Sequence, residues 1–359
     1  MTRSGYLLLF VLMLFPYKSH CQGIKPVMVY TKIDSIARTV QYQGDICRLT
    51  NELTAPYPEK LAKARAIFIW ITENIRYDYK FVNKGKTITP PPCKTGANCE
   101  AILQDWERNY LDKILRKKKA ICNGYSRLFK RMCNLAGIRC EIIDGYTKTK
   151  HYQVGTAGSV NHAWNAVWLD SSWQLADATW ASGTCEETST GKLRPFEKQY
   201  DDYYWLTSFH DFTRNHYPKD GRWVFEDNYT KEKFANNPFY EPGYISNIQL
   251  LSPGSGVITA KKGDTIHFVI KYTDLVDKVQ INSNLFRNLA VEKKIKISRR
   301  RSVRVTDTFA LNKQRYTPFT RNGNRYLFDY VVTDPFLNYV EILFDYRRML
   351  RFRIMVEKI

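Results

Sequence analysis

The chain has 359 residues and a formal net charge of +20, from 55 Lys/Arg against 35 Asp/Glu, and 44% of its residues are hydrophobic. That length permits two domains, that hydrophobic share supports real cores, and the basic balance leaves anionic partners open. The sequence holds no internal repeat and no phosphate-binding glycine loop, which sets aside solenoids and nucleotide-binding enzymes.

The first residues, MTRSGYLLLFVLMLFPYKSHCQG, combine a basic start with an apolar run from Tyr6 to Phe15. The run is too short for a spanning helix and reads as a signal peptide over residues 1–22, cleaved near Cys21 or Gln22. A secreted, periplasmic or cell-envelope protein is therefore expected. Lys18-Ser19-His20 lacks the small and apolar residues usual before a lipidated cysteine, so no lipid anchor is expected. No later segment is suited to span a membrane, so the mature chain is expected to have no transmembrane segment.

Without Cys21, seven cysteines remain: Cys47, Cys93, Cys99, Cys122, Cys133, Cys140 and Cys185. Setting Cys122 aside leaves six, enough for three disulfides in an oxidising compartment. Cys93 with Cys99, closing the loop PPCKTGANC, is the most plausible pair. No CxxC or HxxxH spacing supports a zinc site, and nothing calls for a cofactor or metal.

Ile24 to Thr50 is expected to pack as an N-terminal lead-in. From Tyr57 to Tyr77, the residues Leu61, Ala64, Phe68, Ile71 and Ile75 share one face of a helix, with Pro58 suited to its first turn. Phe81 to Cys99 reads as a polar loop containing Pro and Gly. Ala101 to Leu115 reads as another helix, from which Gln104 or Trp106 is a candidate oxyanion donor beside the Cys122 backbone N–H.

The chemistry concentrates between Ala120 and Gly183. After Cys122, the residues Leu128, Phe129, Met132 and Leu135 recur at helical spacing, and Gly137 is a natural stop. Cys122 thus belongs at or just before a first helical turn, where free N–H groups and the helix dipole favour negative charge. Gly124 is expected to clear space beside the thiol for a substrate backbone. IRCEIID reads as a strand. The segments from His162 and from Trp173 to Trp180 read as two further strands around the turn Asp170-Ser171-Ser172. His162 and Asp177 share a face if paired residues have an odd index sum such as 339 or 341, directly opposed or diagonal. Cys122, His162 and Asp177 then form a nucleophile, a base and an orienting acid.

Three segments carry a resemblance: Ala120-Ile121-Cys122-Asn123-Gly124-Tyr125, His162-Ala163-Trp164-Asn165 and Asp177-Ala178-Thr179-Trp180. In this order they resemble the transglutaminase-like superfamily, which has a papain-like core, in the branch that includes kyphoscoliosis-type peptidases and many secreted bacterial proteins. The resemblance covers roughly Leu53 to Tyr240. It implies an α+β cysteine-enzyme domain with Cys122 as nucleophile, His162 as general base and acid, and Asp177 as its partner.

The loop Thr147 to Asn161 leads straight into His162 and is a candidate cleft rim or lid. After Gly183 comes an aromatic-rich appendage, in which His210 and His216 read as structural or exposed. Turn-rich sequence near Glu241 and Ser252 suggests a boundary, with residues 23–245 forming the first domain and 246–359 an all-β, sandwich-like module. Ile266, Phe268, Ile270 and Tyr272 alternate with polar neighbours, and similar runs start at Tyr326, Tyr339 and Leu350. From Leu251 onward there are 21 Lys/Arg and 10 Asp/Glu, densest in KKIKISRRRSVR at 293–304. Such a module could meet an anionic surface polymer; export makes nucleic acid an unexpected partner.

The leading expectation is a secreted or periplasmic thiol enzyme performing acyl transfer on a peptide or protein substrate, with hydrolysis of peptide or amide bonds favoured over amine crosslinking. The alternative is a non-catalytic protein that binds a surface polymer or partner on the same fold.

Overall fold

The computed structural model describes residues 27–94, 97–298 and 301–357. The expected signal segment 1–22 lies outside them, as do Arg299 and Arg300 of the basic cluster. The lead-in folds as two helices, Val27–Thr39 and Ile46–Thr54, the second capped by the Asp45 carboxylate on the Cys47 N–H. Tyr30, Ile33, Ala37, Leu49 and Leu53 of these helices are core residues. A buried guanidinium ties the lead-in down: Arg65, from the helix Lys60–Asn74, bonds both carboxylate oxygens of Asp34 at 2.8 and 2.7 Å and also reaches Asp202. The bidentate geometry satisfies a charge that burial would otherwise make costly.

The helix Cys99–Lys117 is capped by Asn98 and follows a disulfide between Cys93 and Cys99. Among the described residues the other cysteines are free, with Cys133 and Cys140 both buried, so the three expected disulfides reduce to one. Next comes the helix Cys122–Leu135, with Leu128, Phe129 and Met132 buried as their spacing predicts and Gly137 at φ 73° ending the segment. This helix packs on an antiparallel five-stranded sheet of order Trp205–Thr207, Ser172–Ala176, His162–Leu169, Cys140–Thr147, His216–Pro218. Asp170 and Ser171 both take positive φ, which gives the two-residue turn that matches strand twist.

The second expected strand of that hairpin stops early. It ends at Ala176, and residues 178–182 form a short helix for which Asp177 is the N-cap. Its carboxylate accepts the Thr179 and Trp180 N–H groups, and this side-chain-to-backbone pairing replaces the ladder.

The C-terminal part is largely strands. One sheet runs Ile248–Ser252, Thr265–Tyr272, Arg325–Val331, Thr320–Asn322; the other runs Phe239–Tyr240, Arg347–Val356, Tyr339–Phe344, Val279–Ser283, with Val257–Ala260 parallel to Arg347–Val356. Ile266, Phe268, Ile270 and Tyr272 are buried as their alternation predicts, and Phe268 meets Phe352 across the two sheets at 5.1 Å. This core is separate from the core under the His162 sheet, although strand Phe239–Tyr240 enters the second set from the end of the aromatic appendage. The basic cluster forms a two-stranded hairpin, Glu292–Lys296 with Ser302–Thr306, on which Lys293, Lys296, Arg301 and Arg304 are exposed. Among the described residues no helix is long and apolar enough to cross a membrane.

Candidate active site

Cys122 is the first residue of its helix and is half-buried. Its N-cap, Ile121, has no polar side chain to occupy the first-turn N–H groups. Gly124 does not open substrate space. A Cβ there would lie 2.7–2.9 Å from Ile114, Ala120 and the Tyr110 hydroxyl, so the missing side chain seats the first turn that carries Cys122 against the helix Cys99–Lys117.

His162 begins the strand His162–Leu169, and the hairpin register places Asn165 opposite Ala176. This is the diagonal of the two expected registers. His162 Nε2 lies 2.7 Å from Asp177 Oδ2 with both side chains buried, which leaves Nδ1 for the thiol side. Trp164 and Trp180 flank the imidazole at ring-centroid distances of 6.1 and 5.7 Å. Burial pushes the His162 pKa down, but Asp177 outweighs it and Cys122 adds to the upward pull, raising the pKa to about 10. Burial alone would raise Asp177, yet the two imidazoles beside it hold its carboxyl far below the usual range. Cys122 is thus close enough to act on the ring that Asp177 holds.

The two oxyanion candidates have other contacts. Gln104 is exposed, and its amide donates to Glu100 at 3.1 Å. Trp106 stacks on Tyr110 at 5.5 Å, with the Arg127 guanidinium 5.1 Å from its ring. Arg127 in turn bonds Asn123, the residue after Cys122, and Glu107. Trp106 therefore packs the wall beside the Cys122 helix. The loop before His162 is braced: the Asn161 amide bonds Thr147 N and Oγ1 at its neck, and Gln153 Oε1 accepts from Thr149 and Lys150. Lys148, buried, donates to the Ala235 and Asn237 carbonyls and closes the loop onto the appendage.

His216, read from the sequence as structural or exposed, joins the site. His216 is fully buried, with Nε2 3.2 Å from the same Asp177 Oδ2 that holds His162. It lies on the edge strand His216–Pro218, opposite Thr147. His210, by contrast, is exposed near Glu226. No spacing could have singled out His216, because its link to Asp177 arises from sheet-edge pairing. Among the described residues, His162, Asp177 and His216 are also the one set of three whose ligand atoms lie within 4.8 Å of one another. The carboxylate between the two rings already uses these atoms in hydrogen bonds.

Residues 48–178 match the Transglutaminase-like superfamily, a span that contains Cys122, His162 and Asp177 and ends before His216. The chain is 33% identical over 227 residues to the Kyphoscoliosis peptidase of Homo sapiens, covering 60% of this chain and 31% of that protein. It is 27% identical over 222 residues to Hillarin of Drosophila melanogaster, covering 58% of this chain and 25% of that protein. The chain thus spans less than a third of the length of the curated relatives it matches. A solved structure of a TGase overlaps 48% of this chain and 37% of its own at 17% identity and a TM-score of 0.26. The stretch that matches the transglutaminase-like superfamily ends at residue 178, and the chain continues into a C-terminal module that is largely strands.

Proposed function

We propose that this chain is a thiol enzyme that transfers acyl groups from peptide or amide bonds, with Cys122, His162 and Asp177 as its triad. The observation that carries this is the buried His162–Asp177 pair, 2.7 Å apart, beside a cysteine that opens a helix. The Cys122 sulfur bonds to the carbonyl carbon and the carbonyl π electrons move to oxygen, where the Cys122 N–H is one donor. His162 gives its proton to the leaving nitrogen as the C–N bond breaks, leaving a thioester. Water then attacks the thioester carbon, His162 takes its proton, and the C–S bond breaks, releasing a carboxylic acid and restoring the Cys122 thiolate beside the imidazolium. An amine in place of water would give crosslinking. Hydrolysis is favoured because a relative with 33% identity is named a peptidase.

The test compares wild-type chain with Cys122→Ala on a peptide library, with and without added amine. Cys122-dependent release of new termini supports hydrolysis, and Cys122-dependent amine incorporation supports crosslinking. Equal behaviour of the two proteins, with Cys122 alkylating like the exposed Cys47, rejects the enzyme in favour of a binding protein.

The same proposal takes the chain as exported after loss of residues 1–22, and as dividing near residues 245 and 246. The Cys93–Cys99 disulfide supports the first and the two separate cores support the second. The exposed hairpin cations Lys293, Lys296, Arg301 and Arg304 would recruit an anionic surface polymer. Heparin retention that falls with salt, and falls again when these four are neutralised, is the expected outcome. Retention indifferent to both rejects polymer recruitment.

A further inference from the structure

We infer that His216 is a positioning residue for the triad: its Nε2–H donates to the Asp177 carboxylate and fixes the orientation in which Asp177 holds His162. The inference rests on the thiol-enzyme reading above.

The Asp177 carboxylate is saturated. Oδ1 accepts the Thr179 and Trp180 N–H groups at 2.8 and 3.2 Å, and Oδ2 accepts from His162 at 2.7 Å and from His216 at 3.2 Å. A carboxylate held only by His162 and the helix cap could still pivot about its side-chain bond. The fourth contact, from a different strand, removes that freedom.

For this role His216 must present a proton at Nε2. Trp164, Trp180, Tyr204 and Phe212 enclose the ring at centroid distances of 5.1, 4.6, 5.9 and 4.3 Å. Tyr204, Asp177 and His162 are the titratable groups facing it. Burial in that cage, with a second imidazole at 5.5 Å competing for the same carboxylate, depresses its pKa to about 4 and keeps it neutral. A neutral imidazole carries one N–H. Nδ1 lies 2.6 Å from Asn215 Oδ1, and the Asn215 Nδ2 donates to the Tyr204 hydroxyl at 3.1 Å. In that orientation a neutral ring would carry its proton on Nδ1 and aim its Nε2 lone pair at the Asp177 carboxylate 3.2 Å away. The positioning role therefore requires the opposite orientation of the amide, which has the same shape: Nδ2 donates to Nδ1, Oδ1 accepts from the Tyr204 hydroxyl, and the His216 proton sits on Nε2. The two imidazoles on one carboxylate therefore differ in task. His162 is charged and faces the thiol, whereas His216 is neutral and serves as a fixed donor.

Two full-chain variants separate this role from packing. His216→Phe keeps an aromatic ring in the cage and loses the donor; His216→Gln keeps a donor in a smaller side chain. The readout is iodoacetamide alkylation of Cys122 across pH, with Cys47 as internal reference and thermal melts to confirm folding. His216→Phe should slow Cys122 alkylation roughly 10- to 100-fold, the equivalent of one hydrogen bond to a charged group. It should also move the acid limb of the profile upward by ~1 pH unit, because Asp177 then protonates more easily. His216→Gln should recover most of both. A folded His216→Phe protein with the wild-type rate and profile overturns the inference while leaving the triad intact. If wild-type Cys122 is no faster than Cys47 and insensitive to His162→Ala, the thiol-enzyme reading falls and this inference falls with it. Nitrogen-15 spectra of histidine-labelled wild-type chain need no variant to fold. They should show His216 neutral and protonated at Nε2 from about pH 5 to 9, and a proton on Nδ1 or ordinary titration overturns the inference.

Discussion

His162 and Asp177 meet across a diagonal of one antiparallel hairpin, with Nε2 and Oδ2 2.7 Å apart and both side chains buried. The diagonal matters because Asp177 is no longer in the strand. Its backbone turns into a helix N-terminus, so one carboxylate oxygen caps that helix while the other holds the imidazole. Orientation of His162 and local folding thus depend on one side chain.

Asp177→Asn should therefore lower Cys122-dependent turnover by about 10⁴-fold, the scale seen when a triad carboxylate becomes an amide, while the helix cap survives. Asp177→Ala should also lose about 3–5 kcal/mol of stability, since it leaves buried His162 and His216 without their acceptor. Urea denaturation of both variants, read beside turnover, checks this; equal stability of the two variants would contradict the dual role.

The pair should leave a signature in stability against pH. His162 has a folded pKa of about 10, above the ordinary 6.5, so its contribution is fully present below 6.5 and lost as pH rises toward 10. Asp177 is depressed below its ordinary 3.8, so its contribution is present above 3.8 and lost as pH falls below that value. The stability gap between wild type and His162→Gln should be widest between about pH 4 and 6.5 and narrow on the alkaline side. A gap that stays constant from pH 6 to 10 would show that Asp177 does not hold a charged imidazole.

Lys148 should show a separate alkaline effect. Burial pulls its pKa from 10.5 down to about 7, with its Nζ donating to the Ala235 and Asn237 carbonyls. Between pH 7 and 10.5 the unfolded chain binds the extra proton at this site, so the Lys148 contribution to stability rises with pH across that window, against the fall from His162. Lys148→Met should flatten that rise, measured as the difference in denaturation midpoint between pH 7 and 10. An unchanged slope would place the alkaline dependence elsewhere.

Gly124→Ala should destabilise the chain by about 1–3 kcal/mol, because its Cβ would press on Ile114, Ala120 and Tyr110. The same strain displaces the first turn that carries Cys122, so alkylation of the thiol should slow as well. A stable, fully reactive Gly124→Ala protein would mean that the turn has room to shift.

Much of the site was legible in the chain itself because the signals are local. Helical spacing after Cys122 with a stop at Gly137 placed the thiol at a helix start. Alternation at Ile266–Tyr272 marked a strand, and a six-residue loop separation matched Cys93 to Cys99. The odd register that puts His162 and Asp177 on one face follows from a short turn near Asp170. Tertiary structure alone decided the rest. Gly124 reads the same whether it faces substrate or Ile114, because only the docking of two helices chooses. Asp177 leaves its strand because free N–H groups at Thr179 and Trp180 compete successfully for its carboxylate. His216 lies 39 residues beyond Asp177, and its role exists only once the edge strand pairs with Cys140–Thr147 and the aromatic cage closes over the ring. Hydrophobic periodicity fixes which face of an element is buried, but not which distant strand lies beside it, and that adjacency brings the second imidazole to the carboxylate.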